Sequence, residues 1–386
     1  MPAGIGSNHV RNLFFYGTLR HEPLLEIVLD RPADKLDLQR AFLPGYAAFA
    51  VTEGPFPLIS PCREGAAEGL ILRRLSDEDV ARLDYYEGSF AYDLVEMVLA
   101  DGETAEVYLP GPERWTPFGP WSLTEWERDW AALSCEAARE VMGYFGSRSR
   151  DQVAAMFPMI RKRAQSRLNA ARSRHGARTK SGRTVIEDRN RAYAHFFALD
   201  DMKVRFERFD GSMSGVEDRA VFIAADAAIL LPYDPLRDRV LLVEQMRMGP
   251  LARGDRTVWQ LEPIAGHIDL GETPRAAAIR EAQEEAGLTL KAIEPIAEVY
   301  ASPGNSPEFY YIFLGIADLP DAAEGVGGLP EEGEDIRAHV LSFDDLMDLV
   351  EGFGAANAPL GLAAFWLARH RDRLRLAGTA DKPEAT

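Results

Sequence analysis

Hydrophobic and polar positions change their spacing along the chain, and the change divides it into three stretches. In the first, 11–120, short apolar runs are broken by glycine and proline: LFFY at 13–16 stops at Gly17, and GLIL at 69–72 stands alone, so both predict strands. Pro44-Gly45, Gly54-Pro55 and Ser60-Pro61 read as turns between strands. Ser76, followed by Asp77, Glu78 and Asp79, predicts a helix start, because acidic side chains favour the positive end of the helix dipole. The second stretch, 121–191, reads as helical and then basic, a linker between two domains. In the third, 192–376, strands are expected at 227–231, 240–243, 296–300, 309–314 and 338–341, and helices at 274–286, 343–350 and 360–373. The segment 377–386 shows no pattern and is expected to be disordered.

A length of 386 residues exceeds what one core usually serves, which agrees with two domains. A formal net charge of −18 argues against general nucleic-acid binding, which draws on surplus positive charge, but leaves phosphate substrates open where divalent cations mediate the contact. Cys62 and Cys135 match neither a metal spacing nor a disulfide framework, so a reducing, cytoplasmic setting is the default. The start of the chain lacks the pattern of a signal peptide, and the longest apolar run, near 224–231, is too short to span a bilayer and contains Asp226; no membrane partner is expected. Between Arg161 and Arg183 stand nine Lys or Arg residues and no acidic ones. They read either as a polyanion dock or as a solvated helix and linker pairing with acidic neighbours; without interleaved aromatics the second reading is favoured.

The most informative segment is GHIDLGETPRAAAIREAQEEAGL at 266–288. Thr273 caps a helix that opens on Pro274, whose missing N–H is harmless there, and Gly287 supplies a left-handed stop. Glu281, Glu284 and Glu285 fall at i, i+3 and i+4, on one face of the last turn. Three like charges at the negative end of a helix dipole repel one another, and a hard divalent cation removes the conflict. A solvated acidic helix end explains one or two such glutamates, but not the third, nor the glycine-framed loop before them.

This segment resembles the Nudix box, Gly-x5-Glu-x7-Arg-Glu-U-x-Glu-Glu-x-Gly-U, with Ala282 where a larger aliphatic residue is usual. The resemblance implies an α/β/α sandwich over 192–376. It implies that Glu281, Glu284 and Glu285 bind magnesium, with manganese as a substitute, that Glu281 and Glu285 serve catalysis, that Glu272, Arg280, Gly266 and Gly287 orient the box, and that the Ala265 carbonyl completes the metal loop. Pro303, within ASPGNSPE at 301–308, resembles the ADP-ribose pyrophosphatase subgroup, as do VEQMR at 243–247, WQLE at 259–262 and the acidic loop EEGEDIRAHV at 331–340. By that likeness Arg247, Arg219, Glu262, Pro303 and Glu308 would meet a nucleoside diphosphate sugar, Glu332 would be the general base and Glu334 a further metal ligand. The glycines at 327, 328 and 333 suit a mobile loop. The subgroup also implies an intertwined homodimer, with strands near 204–209 and 221–224 crossing to the partner.

In the first stretch, Tyr16-Gly17-Thr18-Leu19 after an apolar strand, then FPLISP at 56–61, EGL at 68–70 and LDYYEG at 83–88, resemble the gamma-glutamylcyclotransferase-like family. That likeness implies a small mixed β-barrel, with Tyr16, Gly17, Thr18 and Leu19 at a substrate cavity and Glu87 as its catalytic carboxylate. The whole is therefore expected to be an α+β domain joined by a helical linker to an α/β domain. The leading expectation is magnesium-dependent hydrolysis of ADP-ribose to AMP and ribose 5-phosphate. The alternatives are a bifunctional enzyme with added gamma-glutamyl cyclotransferase-type activity, and a non-catalytic ADP-ribose sensor.

Overall fold

A computed structural model describes residues 11–87, 92–111, 114–172, 180–328 and 333–380. The chain divides into two units, Met1–Gly176 and Ala177–Thr386.

In the first unit the expected strand at 13–16 is β1 (Arg11–Phe15), followed by helix α1 (Glu22–Leu29), β2 (Asp37–Val51), β3 (Gly54–Leu75), α2 (Asp77–Glu87), β4 (Tyr92–Val98), β5 (Thr104–Pro110) and β6 (Pro117–Pro120). The strands form one mixed sheet in the order β4-β5-β1-β3-β2-β6, with β1 and β5 parallel. Ser76 starts α2 as expected, accepting from the Asp79 N–H while the Asp79 carboxylate accepts from the Ser76 N–H.

The glycine–proline pairs behave differently from the sequence reading. Only Gly54-Pro55 lies at a hairpin turn; Pro44-Gly45 and Ser60-Pro61 sit inside the long β2–β3 ladder. Gly45, at a φ of 77°, forms a bulge where the register shifts between Pro44 and Tyr46. Proline is tolerated here because β1 pairs only with the 70–75 end of β3 and β6 only with the 49–51 end of β2. The outer edges at Pro44, Pro57 and Pro61 therefore need no N–H donor.

The stretch expected as a helical linker is shared between the units. Helices α3 (Leu123–Asp129), α4 (Ala131–Met142) and α5 (Arg150–Arg172) belong to the first. They bury Trp126, Leu133, Val141, Val153, Met156 and Ile160, so their apolar faces pack as part of that unit. Part of the basic stretch turns inward as well: Arg163, only 1% exposed, donates to Glu140 at 2.6 Å, and Arg167 donates to Glu136 at 3.1 Å. Residues 184–191, expected in the linker, instead belong to strand β7 (Thr184–Ala194) of the second unit.

That unit continues with β8 (Ala198–Phe206) and β9 (Glu217–Ile223), which with β7 make a three-stranded antiparallel sheet. Then follow β10 (Ala227–Asp234), β11 (Arg239–Met246), α6 (Met248–Arg253), β12 (Trp259–Glu262), β13 (Ile264–His267), α7 (Pro274–Ala286), β14 (Leu290–Tyr300), β15 (Phe309–Ala317), β16 (Gly325–Gly327), β17 (Ile336–Ser342), α8 (Phe343–Glu351) and α9 (Ala358–Ala380). The larger sheet runs β14-β15-β10-β11-β17-β16, with β12 on β11 and β13 on β10. Period-two alternation divides its side chains between two cores. Ala228, Leu230, Leu241 and Val243 face α7, packing with Ala277, Ala278 and Ala282; Ile229, Leu231, Val240 and Leu242 face α8 and α9. This is the expected α/β/α sandwich. The segment expected to be disordered, 377–386, is helical as far as Ala380, with Gly378 so close to Pro235 that a β-carbon would lie 2.8 Å from its ring; 381–386 falls outside the described residues. Among the described residues no helix is long and apolar enough to cross a membrane.

Candidate functional site

Helix α7 places the glutamates. Thr273 accepts from the Ala276 N–H at 3.1 Å, Pro274 opens the helix, and Gly287, at a φ of 63°, ends it. Leu288 N–H then reaches the Ala282 carbonyl at 2.9 Å. The small residues Ala277, Ala278 and Ala282 seat the helix against the sheet; Glu285 is buried on the same face, and Glu281 reaches Gly266 of β13.

Arg280 is the hub of the glutamate cluster. Its guanidinium donates to Glu272 at 3.0 and 3.1 Å, to Glu281 at 2.7 Å, to Glu284 at 2.8 Å and to the His267 carbonyl at 3.0 Å. One planar fork thus ties the glycine-framed loop to two of the three helix glutamates. Gly266 lies on β13 opposite Ala228, where a β-carbon would come within 1.8 Å of Glu281 Oε1, so no other residue fits without displacing that carboxylate.

Glu285 differs from its neighbours in being almost wholly buried. Its Oε2 has no hydrogen-bond partner among the described residues. Burial, and then the negative charges of Glu281 and Glu334, push its carboxyl up to about 9, opposed by Arg247 and the Ala265 N–H. Burial likewise raises Glu281. Gly327 packs on the end of the same helix, where a β-carbon would meet the Glu285 carbonyl at 2.3 Å, so β16 adjoins the cluster. Glu334 lies close enough to act on both glutamates; Glu332, the expected base, falls outside the described residues. Among the described residues no three carboxylate, histidine or cysteine side chains already converge at metal-ligand spacing, since Arg280 draws Glu281 and Glu284 onto itself.

Beside this cluster Arg247 donates to Glu262 at 2.6 Å. The other oxygen of Glu262 accepts from Asn357 at 2.9 Å, and Asn357 also caps α9 by accepting from Leu360 N–H. Asn357 escaped the sequence reading because nothing local marks it; it is brought in by the chain return from α8. Tyr310 donates to Glu308 at 3.1 Å and feels the charges of Glu262 and Arg247, which places Glu308 on this side of the cluster. Pro303 is exposed in the 301–308 loop, whose Asn305 carbonyl accepts from Phe222 of β9 at 2.8 Å. Arg219, also on β9, engages its own strand instead, donating to the Asp218 carbonyl at 2.7 Å.

In the first unit, Tyr16, Gly17, Thr18, Leu19 and Glu87 all line one cavity of about 110 Å³. Burial pushes the Glu87 carboxyl up to about 7, so it can give or accept a proton near neutrality.

Comparison with known proteins follows the same division. The NUDIX domain family matches residues 224–360, and gamma-glutamyl cyclotransferase, AIG2-like, matches residues 13–127. The ADP-ribose pyrophosphatase of Escherichia coli strain K12 is 41% identical over 187 residues, covering 48% of this chain and 88% of that protein. The ADP-ribose pyrophosphatase of Haemophilus influenzae is 40% identical over 151 residues, covering 39% of this chain and 69% of that protein. The GDP-mannose pyrophosphatase of E. coli strain SMS-3-5 is more distant, 27% identical over 168 residues, covering 44% of this chain and 85% of that protein. An Arg-centred glutamate helix, its glycine cradle and these likenesses agree: the chain belongs to the Nudix hydrolases, in the ADP-ribose pyrophosphatase subgroup, and carries a gamma-glutamyl cyclotransferase-like domain ahead of the hydrolase domain.

Proposed function

We propose that the second unit hydrolyses the diphosphate bond of ADP-ribose, or of a closely related nucleoside diphosphate sugar, to AMP and ribose 5-phosphate, with magnesium as the working ion. The observation that carries this reading is Glu285: a buried carboxyl with a partnerless oxygen, pushed up to about 9, beside two further glutamates. Such a group is poorly suited to water or to another side chain and well suited to a hard cation. The fit extends to Gly266, whose lack of a side chain leaves the Glu281 carboxylate its place. The ligands would be Glu281, Glu284, Glu285, Glu334 and the Ala265 carbonyl, with manganese able to replace magnesium. Bound there, a divalent ion neutralises diphosphate charge and lowers the pKa of water.

The chain's own residues supply the rest. Arg280 and Glu272 hold the glutamates in register. Arg247, buttressed by Glu262, presents a guanidinium to a phosphoryl oxygen, while Glu308 and Pro303 border the sugar side. The general base is assigned to Glu332, with Glu285 and Glu281 completing the catalytic set. Arg219 enters this scheme only from a partner subunit. Exposed apolar side chains on β7–β9, among them Ile186, Tyr193 and Phe222, support a homodimer through that sheet. The working compartment is proposed to be the cytoplasm.

The test is AMP release from ADP-ribose with magnesium, beside a Glu285→Gln variant and a panel of sugar nucleotides. AMP formation that the variant loses supports the reading; no turnover of any nucleoside diphosphate by the parent protein overturns it.

A further inference from the structure

Three of the arginines on helix α5 have different fates. Arg163 and Arg167 are neutralised by Glu140 and Glu136 of α4. Arg161 makes no hydrogen bond or ion pair among the described residues: its guanidinium carbon lies 5.9 Å from the Trp130 ring and 6.0 Å from the Phe157 ring, and the group lines the 110 Å³ cavity of the first unit. Burial depresses its pKa, with Tyr86 opposing. An unpaired cation held between aromatic rings at a cavity wall is unfavourable unless an anion joins it there.

The cavity's other ionisable groups do not supply that anion. Among the described residues Glu87 is the one carboxylate in the lining, and its shift comes from burial alone, with no contribution from Arg161; the remaining ionisable members are the phenols Tyr16, Tyr86, Tyr92 and Tyr108. The two charged groups thus share a cavity without pairing. By volume the space takes roughly seven to ten waters, or a ligand of about ten non-hydrogen atoms. A single guanidinium between rings suits a planar monoanion, which accepts its fork bidentately, better than a dianionic phosphate, which calls for more positive charge.

We infer that Arg161 binds the carboxylate of a small ligand held in this cavity, so that a helix outside the matched 13–127 segment determines the pocket's specificity. Ser134 and Phe157 reach the same lining from beyond that segment, so the helical extension completes the wall rather than merely covering it. The inference does not depend on the diphosphate chemistry of the second unit.

The test uses the full-length protein and two lactams that differ only in a carboxylate, 5-oxoproline and 2-pyrrolidinone, titrated by ligand-observed NMR and calorimetry. The parent protein should prefer 5-oxoproline by at least about tenfold, the scale of one charge-assisted bidentate contact. Arg161→Met should abolish that preference with circular dichroism unchanged, and Arg161→Lys, which keeps the charge but not the fork, should retain part of it. Equal binding of both lactams, no binding of either by the parent protein, or an unchanged preference in Arg161→Met overturns the inference.

Discussion

Glu281 and Gly266 are fitted to each other: the carboxylate on α7 occupies the space where any side chain on β13 would begin, with Oε1 1.8 Å from the position a β-carbon would take. Because β13 is held by β10 across four residue pairs, the backbone cannot retreat, and the carboxylate must give way. Gly266→Ala is therefore expected to lower kcat/KM for ADP-ribose by about 100-fold, the scale seen when support of a metal ligand is lost. Steady-state kinetics beside circular dichroism check this; near-parental kinetics in a folded variant would remove the cradle from the mechanism.

Asn357 joins stability to the site. Replacing it with Ala deletes the cap on Leu360 N–H, which costs about 1 kcal/mol, and frees one oxygen of Glu262. With Glu262 held only by Arg247, the guanidinium is less firmly aimed, so KM for ADP-ribose should rise severalfold with little change in kcat. A kcat loss at constant KM would instead place Asn357 in the chemical step.

Much of this site was legible because local rules and function coincide in α7: the Thr273 cap, the Pro274 start, the Gly287 stop and the crowded glutamates all lie within one helix and its ends. The continuous apolar runs of β10 and β11 likewise marked strands of the sandwich, which are covered on both faces. Where long-range packing decides, the sequence misled. Pro44 and Pro61 look like turns until the missing neighbour at each strand edge is known, and Arg163 looks solvated until α4 supplies Glu140. Asn357 meets Glu262 across 95 positions of sequence, which no local pattern encodes.

The Arg163–Glu140 pair gives a prediction for the first unit. Both side chains are nearly wholly buried, so removing one leaves the other charged and without its main partner. Arg163→Met should destabilise that unit by about 3 kcal/mol, moderated by Arg167, which still reaches Glu140 at 3.3 Å. The double variant Arg163→Met with Glu140→Leu should recover most of the loss, as an apolar pair avoids desolvating two ions. Denaturant unfolding read by hydrogen exchange in α4 and α5 measures both. A double variant no better than the single would mean the ion pair itself is a net stabiliser.

Glu285 links pH to stability in a direction opposite to that of an ordinary surface carboxylate. Its folded-state pKa, about 9, lies well above the 4.5 of an unperturbed glutamate, so between those values the folded chain holds a proton that the unfolded chain has released. Stability from this group is then fully present below about 4.5 and falls as pH rises toward 9, by at most about 1.4 kcal/mol per pH unit. The raised Glu281 contributes with the same sign. In metal-free protein, hydrogen exchange in α7 should therefore quicken, beyond its intrinsic pH dependence, as pH is raised from 5 to 9. Glu285→Gln, which cannot ionise, should flatten much of that excess. Magnesium should reverse the trend in the parent protein, because binding favours the deprotonated carboxylate and displaces its proton. The stabilisation by a fixed magnesium concentration should accordingly grow with pH in the parent and change little in the variant. A parent protein whose α7 protection is independent of pH without metal would show that Glu285 is not held protonated.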